Sequence, residues 1–436
     1  VDAPPIGEIY RVAEFKRELA AGAGIDAGIA AFIGAYPDER FESAAVPLRS
    51  LRDYARASGL AYHELAPAGE PFVSRAPRVV GDGDARDFYG RSRALFVAAL
   101  GDVRIMSRSY IVRTHDAALA DFQDDERERG GDRPELDPQL FAVERGLAYV
   151  LEPRDASVLE IPEAFVSLVG PHSDAFGHWI WHQIPRFVAA LESGMLPEMP
   201  VLVDRDMPPS HFEALALAVG SRAMPIVTVP PGTIVRVGRA WYASGLFHVP
   251  YLPVNDVRWT WSHIATPPGR YTVPLAAMAL SARALGGVGR GERIYLARRP
   301  HLRRCLTNAS EIEDIARARG FAIVFPEELT FEDQLRIVRD ARYVVGPEGS
   351  AMFGTFYARP GLRIAILDHP FVEQLTNYTA PLAASGADVT LFTGTVVRAN
   401  DTPGYPNFGF KHFADYSIDG AHFEAFLKDW CPGAIA

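Results

Sequence analysis

Between residues 293 and 393 the sequence alternates short β-branched, apolar runs with amphipathic segments, and no other feature constrains the fold as strongly. Arg293–Ala297, Phe321–Phe325, Tyr343–Val345, Arg363–Leu367 and Asp388–Phe392 read as strands. Ser310–Arg319, Phe331–Asp340, a segment opening at Gly349, and Phe371–Ala384 read as the helices between them. Gly320 is placed to stop the first of these and Thr330 to cap the second. Strands joined through helices cannot pair as hairpins, so they lie parallel with helices over both faces. The expectation is a doubly wound domain of about a hundred residues, with ligands taken at the carboxyl ends of the strands.

A second alternation lies upstream. Ala164–Val169, Pro200–Val203 and Pro225–Val229 read as strands separated by helices at Ala175–Gly194 and Ser210–Val219, and Val235–Phe247 is strand-rich. Before it, Ala94–Ala99, Val103–Met106, Tyr110–Arg113, Ala148–Leu151 and Val158–Ile161 are short β-type runs. Asp121–Asp137 is a charged loop whose like charges at Asp124, Asp125 and Glu126 favour solvent over a shared metal. At the start, Tyr10–Ala21 and Val46–Ser58 read as helices, and Gly28–Gly34 is small and flexible. Pro250–Pro268 reads as a passage between lobes, Tyr271–Leu285 as a helix, and Ala421–Trp430 as a short final helix in an aromatic-rich tail. The expected division is an accessory segment 1–75, a first lobe 76–268, a second lobe 269–399, and a tail 400–436 folded back on the body.

Charge narrows the function classes. A formal net charge of −10 leaves too few cations to neutralise a polyphosphate backbone, which argues against a nucleic-acid binder. No run is apolar for long enough to span a bilayer. The start, VDAPPIGEIY, lacks the basic and apolar regions of a signal peptide. Cys305 and Cys431 make neither a disulfide framework nor a zinc pattern, and a reducing compartment is the simpler reading.

Three stretches carry candidate chemistry. In Ala341–Phe356, a strand breaks at Gly346-Pro347-Glu348-Gly349 and a helix start follows, so the amides of Gly349, Ser350 and Ala351 are placed to donate to an anion; an ordinary strand-to-helix turn has the same appearance. Arg298, Arg299, Arg303 and Arg304 crowd the loop after another strand. Guanidinium groups gathered there fit a diphosphate, and the alternative is a solvated loop paired to Glu292, Glu311 or Glu313. His178 and His182, four apart, share a helix face. A zinc site lacks the Glu after His178 that a metalloprotease needs, which leaves a general base or a histidine packed among Trp179 and Trp181. Asp204-Arg205-Asp206 looks like a metal–nucleotide motif, but the prolines after it make turn chemistry the better reading.

Taken together, Arg293–Arg299, Arg304–Asn308, Gly320-Phe321, Pro326–Gln334, Val345–Met352 and Arg359–Gly361, with His178-Trp179 through Arg186, resemble glycosyltransferase family 61. The likeness covers roughly residues 90–395, and the order and spacing of several motifs make it specific. Many bacterial members serve capsular polysaccharide synthesis. The resemblance implies an α/β fold of the GT-B kind, two Rossmann-like lobes behind a β-rich N-terminal portion. It implies inverting transfer from a nucleotide sugar, usually a UDP-sugar, to a glycan hydroxyl, with no metal or other cofactor. It places Arg298, Arg299, Arg304, Asn308, Glu327, Glu328 and Gly349–Ala351 at the donor, with His178 as base and His182 and Glu348 in reserve. A cytoplasmic protein follows, at the inner face of the membrane or free of it, as a monomer or homo-oligomer. Glu348 stands where the family commonly has histidine, His182 where it often has an acid, and Ala309 where it often has glutamate. The rival readings are a non-catalytic binding scaffold, to which the Glu348 change would point, and a nucleotide-sugar epimerase.

Overall fold

The computed structural model describes residues 9–83, 85, 87–121, 137–170, 173–246, 270, 274, 277, 278, 291–300, 304–370, 376–399, 402 and 414–432. Most of the expected charged loop, the passage at Pro250–Pro268, most of the Tyr271–Leu285 helix, the start of the Phe371 helix and residues 403–413 of the tail lie outside them.

The later alternation folds into a six-stranded, wholly parallel sheet. Its order is Ala322–Val324, Arg293–Leu296, Tyr343–Pro347, Arg363–Asp368, Asp388–Thr393 and Arg78–Val80. The chain reverses direction across the sheet beside Arg293–Leu296, so the switch point lies between the ends of that strand and of Tyr343–Pro347. The buried strand residues explain the continuous apolar runs: Val344, Val345, Ile364, Leu367 and Leu391 are fully enclosed. The sixth strand was not foreseen. Arg78–Val80, expected in the first lobe, pairs with Thr390–Phe392 and ties the early chain to the second sheet. Three residues are too few to show a period.

The larger sheet has twelve strands. Ile226–Val229, Val201–Asp204, Phe165–Ser167 and Ile234–Ala243 run parallel, as the βαβαβ pattern predicts. Beyond them the sheet turns antiparallel through Leu95–Met106 and Val112–Arg113, and continues to Phe41–Ser50, Leu147–Pro153 and Leu140–Glu144. Several local expectations are corrected here. The two runs Ala94–Ala99 and Val103–Met106 are one strand: Ile234–Ala243 pairs straight past Gly101 and Asp102, although Asp102 sits at φ 44. Val46–Ser58 is not one helix. Phe41–Ser50 is a strand, and Ser50 then caps the helix Leu51–Ala57 by accepting from the Asp53 amide at 3.3 Å. Gly28–Gly34 lies inside the helix Ile25–Ala35, where Gly28 lets that helix close on the backbone of Leu19. The buried Lys16 ammonium fastens the helix Ile9–Ala23 by donating to the carbonyls of Asp137 and Leu140 at 3.0 and 2.6 Å.

One helix joins the two sheets. The segment expected as Ala175–Gly194 is helical as Phe176–His178, a π-type turn Trp179–Gln183, and Ile184–Glu192. The wide turn has a cause in sequence. In i→i+5 spacing the amide of Ile184 reaches the carbonyl of Trp179, and the next donor in line would be residue 185, which is proline. The Ile180 carbonyl is thereby freed, and the buried Tyr357 hydroxyl from the second sheet donates to it at 3.1 Å. Trp181 stacks on Phe353 with ring centroids 5.4 Å apart. Trp179 donates through Nε1 to the His211 carbonyl at 2.9 Å and stacks on its ring, while Phe176 meets Phe331 edge-on. Glu213 of the first lobe accepts from the amide of Phe331, at the start of a second-lobe helix, at 2.6 Å.

Tyr357→Phe is expected to cost about 1–3 kcal/mol in urea unfolding, because the Ile180 carbonyl is left buried without a donor. A variant as stable as the parent would contradict the account of the π turn. His211 gives a pH prediction. It is fully enclosed, and burial pushes its imidazole down to about 4, against weaker upward pulls from Ala175 and Asp174. The unfolded chain therefore binds a proton between pH 6.5 and about 4 that the folded chain refuses. Stability from this group is complete above pH 6.5 and declines as pH falls through that window. His211→Asn should unfold with a shallower pH dependence there; matching curves for the two proteins would contradict it.

Candidate functional site

The switch point of the second sheet gathers three of the expected positions. The buried strand Tyr343–Pro347 delivers Glu348 and Gly349 beside Arg298, which follows Arg293–Leu296. Gly346 is required for this approach: a Cβ there would stand 2.4 Å from the Leu296 carbonyl oxygen. Arg298 donates from Nη1 to the Glu348 carbonyl at 3.3 Å, and its guanidinium lies over Gly349, 3.6 Å from where a Cβ would be. Arg304, in a left-handed backbone conformation at φ 54, pairs with the Glu348 carboxylate at 2.7 Å. Both side chains are buried, at 14% and 3% exposure, so the pair is poorly screened by solvent.

The tail holds the loop that carries Arg304. Asp415 accepts from the Cys305 amide at 2.8 Å, and Tyr416 accepts from the Thr307 amide at 2.8 Å. Asn308 exchanges hydrogen bonds with the backbone of Ile418, giving from Nδ2 at 2.7 Å and accepting at 3.1 Å. Below the pair lie Asp368 and His369, both enclosed. Burial raises the Asp368 carboxyl above its ordinary range; the His369 charge opposes this and the Glu348 charge adds to it. Tyr416 closes the floor by donating to the Leu367 carbonyl at 2.7 Å. The sequence gave no sign of this floor, since Asp415, Tyr416, Asp368 and His369 meet Arg304 and Glu348 only through the fold.

The remaining donor candidates divide. Arg299 turns to the acids: its amide donates to Glu327 at 2.9 Å and its guanidinium pairs with Glu328 while stacking on Phe325. Glu327 and Glu328 are thus the partners of the basic loop, rather than Glu292, Glu311 or Glu313. Ser350 is exposed and Ala351 half-buried, at the start of a segment that is a 3₁₀ run, Ser350–Tyr357, and not the expected α-helix. The amide of Met352 donates to the Gly349 carbonyl at 3.1 Å in that tighter spacing. The amides of residues 349–351 still stand at its opening. Arg303 lies outside the described residues.

The histidine segment meets this turn directly. A Cβ on Gly177 would touch Phe353 at 3.0 Å and the Ser350 hydroxyl at 3.1 Å, so the residue before His178 abuts the residue after Gly349. His178 and His182 are both half-buried beside Trp181, at ring distances of 6.2 Å. Asp204 is committed elsewhere: its buried carboxylate accepts from the amides of Arg108 and Gly170 at 2.8 and 3.3 Å. Asp206 is exposed. Among the described residues no group of three or more metal-ligating side chains is clustered. Cys305 and Cys431 are both free thiols.

The arrangement is a positively charged, amide-lined turn at a switch point, with imidazoles carried to it by a facing helix. Such a place suits an anionic leaving group and a nearby proton acceptor. No curated protein matches the chain. Residues 176–365 match the family model described as Glycosyltransferase 61, a stretch that begins at the helix carrying His178 and runs through Arg298, Arg304, Glu348 and Gly349. The chain therefore carries a glycosyltransferase family 61 domain, and with it is a glycosyltransferase.

Proposed function

We propose that the protein is an inverting, metal-independent transferase of the GT-B kind, moving a sugar from a nucleotide donor, a UDP-sugar, to a glycan hydroxyl. The observation that carries the proposal is the meeting of Arg298 and the Gly349 turn with the His178 helix through Gly177 and Ser350. The acceptor oxygen attacks the anomeric carbon, and His178 takes its proton. The bond from that carbon to the phosphate oxygen breaks, and the electron pair leaves with the nucleoside diphosphate. Arg298 and the amides of residues 349–351 are placed to hold the new charge, a role elsewhere filled by a metal. Asp204, which a metal-dependent reading would need, already accepts two backbone amides.

Glu348 and Arg304 take a different part from the one the family resemblance implies. Their buried pairing makes Glu348 a poor base and leaves Arg304 to fix the turn from below, while Arg298 reaches over it. Asn308 serves the same loop through Ile418. We assign the product to cell-surface polysaccharide synthesis of the bacterial capsular type and the protein to the cytoplasm, on the family alone. No helix among the described residues is long and apolar enough to cross a membrane.

A panel of nucleotide sugars, each with glycan acceptors, tests the assignment, with and without EDTA. Transfer that survives chelation and inverts the anomeric centre is expected; a strict need for Mn²⁺ would overturn the metal-free mechanism. Arg298→Ala should lower turnover about 10²–10³-fold and weaken UDP in calorimetry; unchanged UDP affinity removes Arg298 from the donor site. His178→Ala should cut kcat about 10²–10⁴-fold with UDP affinity kept. Glu348→Gln decides between a base and a buried partner. We expect a loss of about 3 kcal/mol or more in stability, since Arg304 is left buried without its counter-charge. A variant as stable as the parent but slowed like His178→Ala would return Glu348 to the chemistry.

A further inference from the structure

The larger sheet has a switch point of its own, and an unbalanced cluster of guanidinium groups sits there. Phe165–Ser167 leads the chain outward to Val201–Asp204 and Ile226–Val229, and Ile234–Ala243 then pairs on its other side. Tyr242 lies at the carboxyl end of that last strand. Arg186, on the helix Ile184–Glu192, is only 6% exposed. Its guanidinium stands 5.3 Å over the Tyr242 ring, and Nη1 makes a long 3.3 Å bond to the Tyr242 hydroxyl. Nε is buried without a partner, and no carboxylate among the described residues pairs with the group. A desolvated guanidinium left in that state is costly unless an anion joins it.

The neighbours do not balance the charge. Asp121 accepts from the Tyr242 hydroxyl at 3.2 Å and from the Gly245 amide at 3.1 Å, and pairs with Arg93 at 3.3 Å. Arg270 donates to the Arg93 carbonyl at 3.3 Å and keeps a buried Nη1 without a partner; the exposed Glu70 is the carboxylate that acts on it. Three guanidinium groups thus surround one buried-side carboxylate, in a protein that is otherwise strongly acidic. Arg93 and Asp121 are 16% and 15% exposed, so the cluster opens to solvent on their side.

We propose that Arg186, with Arg93, Arg270 and Tyr242, forms an oxyanion subsite that takes a carboxylate or phosphate borne by the acceptor. The word acceptor rests on the reading above; the oxyanion does not. His178, His182 and Arg186 recur at four-residue spacing along one helix, so they share a face through the π turn. About two turns, ~11 Å, separate the first from the last. The negative group therefore belongs a short way along the glycan from the reacting hydroxyl, and not on the leaving nucleotide. A site of this kind selects acidic glycans over neutral ones.

Calorimetry on the full chain with inorganic phosphate and with glucuronate, as separate probes, tests the subsite and tells which anion it prefers. Saturable binding of at least one is expected in the parent and, unchanged, in Arg298→Ala, which disables only the nucleotide turn. Arg186→Gln and Arg270→Gln should each weaken it about tenfold or more. If Arg186→Gln does not fold, the partly exposed Arg270→Gln decides. Binding that disappears in Arg298→Ala, that is unaffected by the subsite variants, or that is absent for both probes overturns the proposal. UDP affinity in Arg270→Gln is read in parallel: kept there while anion binding falls, it separates this subsite from the donor site.

Discussion

Gly177 has no side chain, and for that reason a helix of one sheet can lie against the turn of another. A methyl group there would press on the Phe353 ring and the Ser350 hydroxyl at about 3 Å, and either the helix or the turn would have to move. The close approach brings Trp181 onto Phe353 and Tyr357 under Ile180. It also decides what the π turn is for. Pro185 removes a helical donor, the turn widens, and the released carbonyl becomes the point at which the second sheet holds the first. The hydrogen bond and the stacked rings fix His178 relative to Gly349 more tightly than apolar contact alone, because each has a preferred direction.

The charges of the nucleotide turn are arranged in two layers. Above, Arg298 spans the Glu348 carbonyl and Gly349. Below, Arg304 is neutralised by Glu348, with Asp368, His369 and Tyr416 enclosed around them. A buried pair of this kind is weak evidence of stability in itself, and strong evidence of geometry: neither partner can leave without stranding the other. The tail residues Asp415 and Ile418 clamp the Arg304 loop, so the C-terminal segment belongs to the site and is more than a cover.

Much of this was readable before the fold was known, and for definable reasons. The second sheet announced itself because each of its parallel strands is buried on both faces and so appears as an apolar run, from Ile294 to Leu391. The turn at Gly349 and its neighbour Arg298 were readable because strand ends in such sheets carry function. Pairing was not. Arg299 and Arg304 look alike in the sequence, yet one is spent on Glu328 at the surface and the other on Glu348 in the interior. Nor could Arg78–Val80 be seen as a strand of the second sheet, or Gly101-Asp102 as anything but a turn, since both depend on a partner far away in the chain. Arg186 was read only as part of a family motif; its isolation among Tyr242, Arg93 and Arg270 is a fact of three dimensions.

The two switch points now describe one transferase with separable duties: a nucleotide turn in the parallel sheet, and an anion-holding corner in the mixed one. A crystal structure of the full chain with UDP bound tests this most directly. The diphosphate should lie within hydrogen-bond distance of Arg298 and the amides of residues 349–351, with the Arg304–Glu348 pair intact beneath it and His178 facing the open side. A diphosphate seated at Arg186, or one that draws Arg304 away from Glu348, would contradict the account.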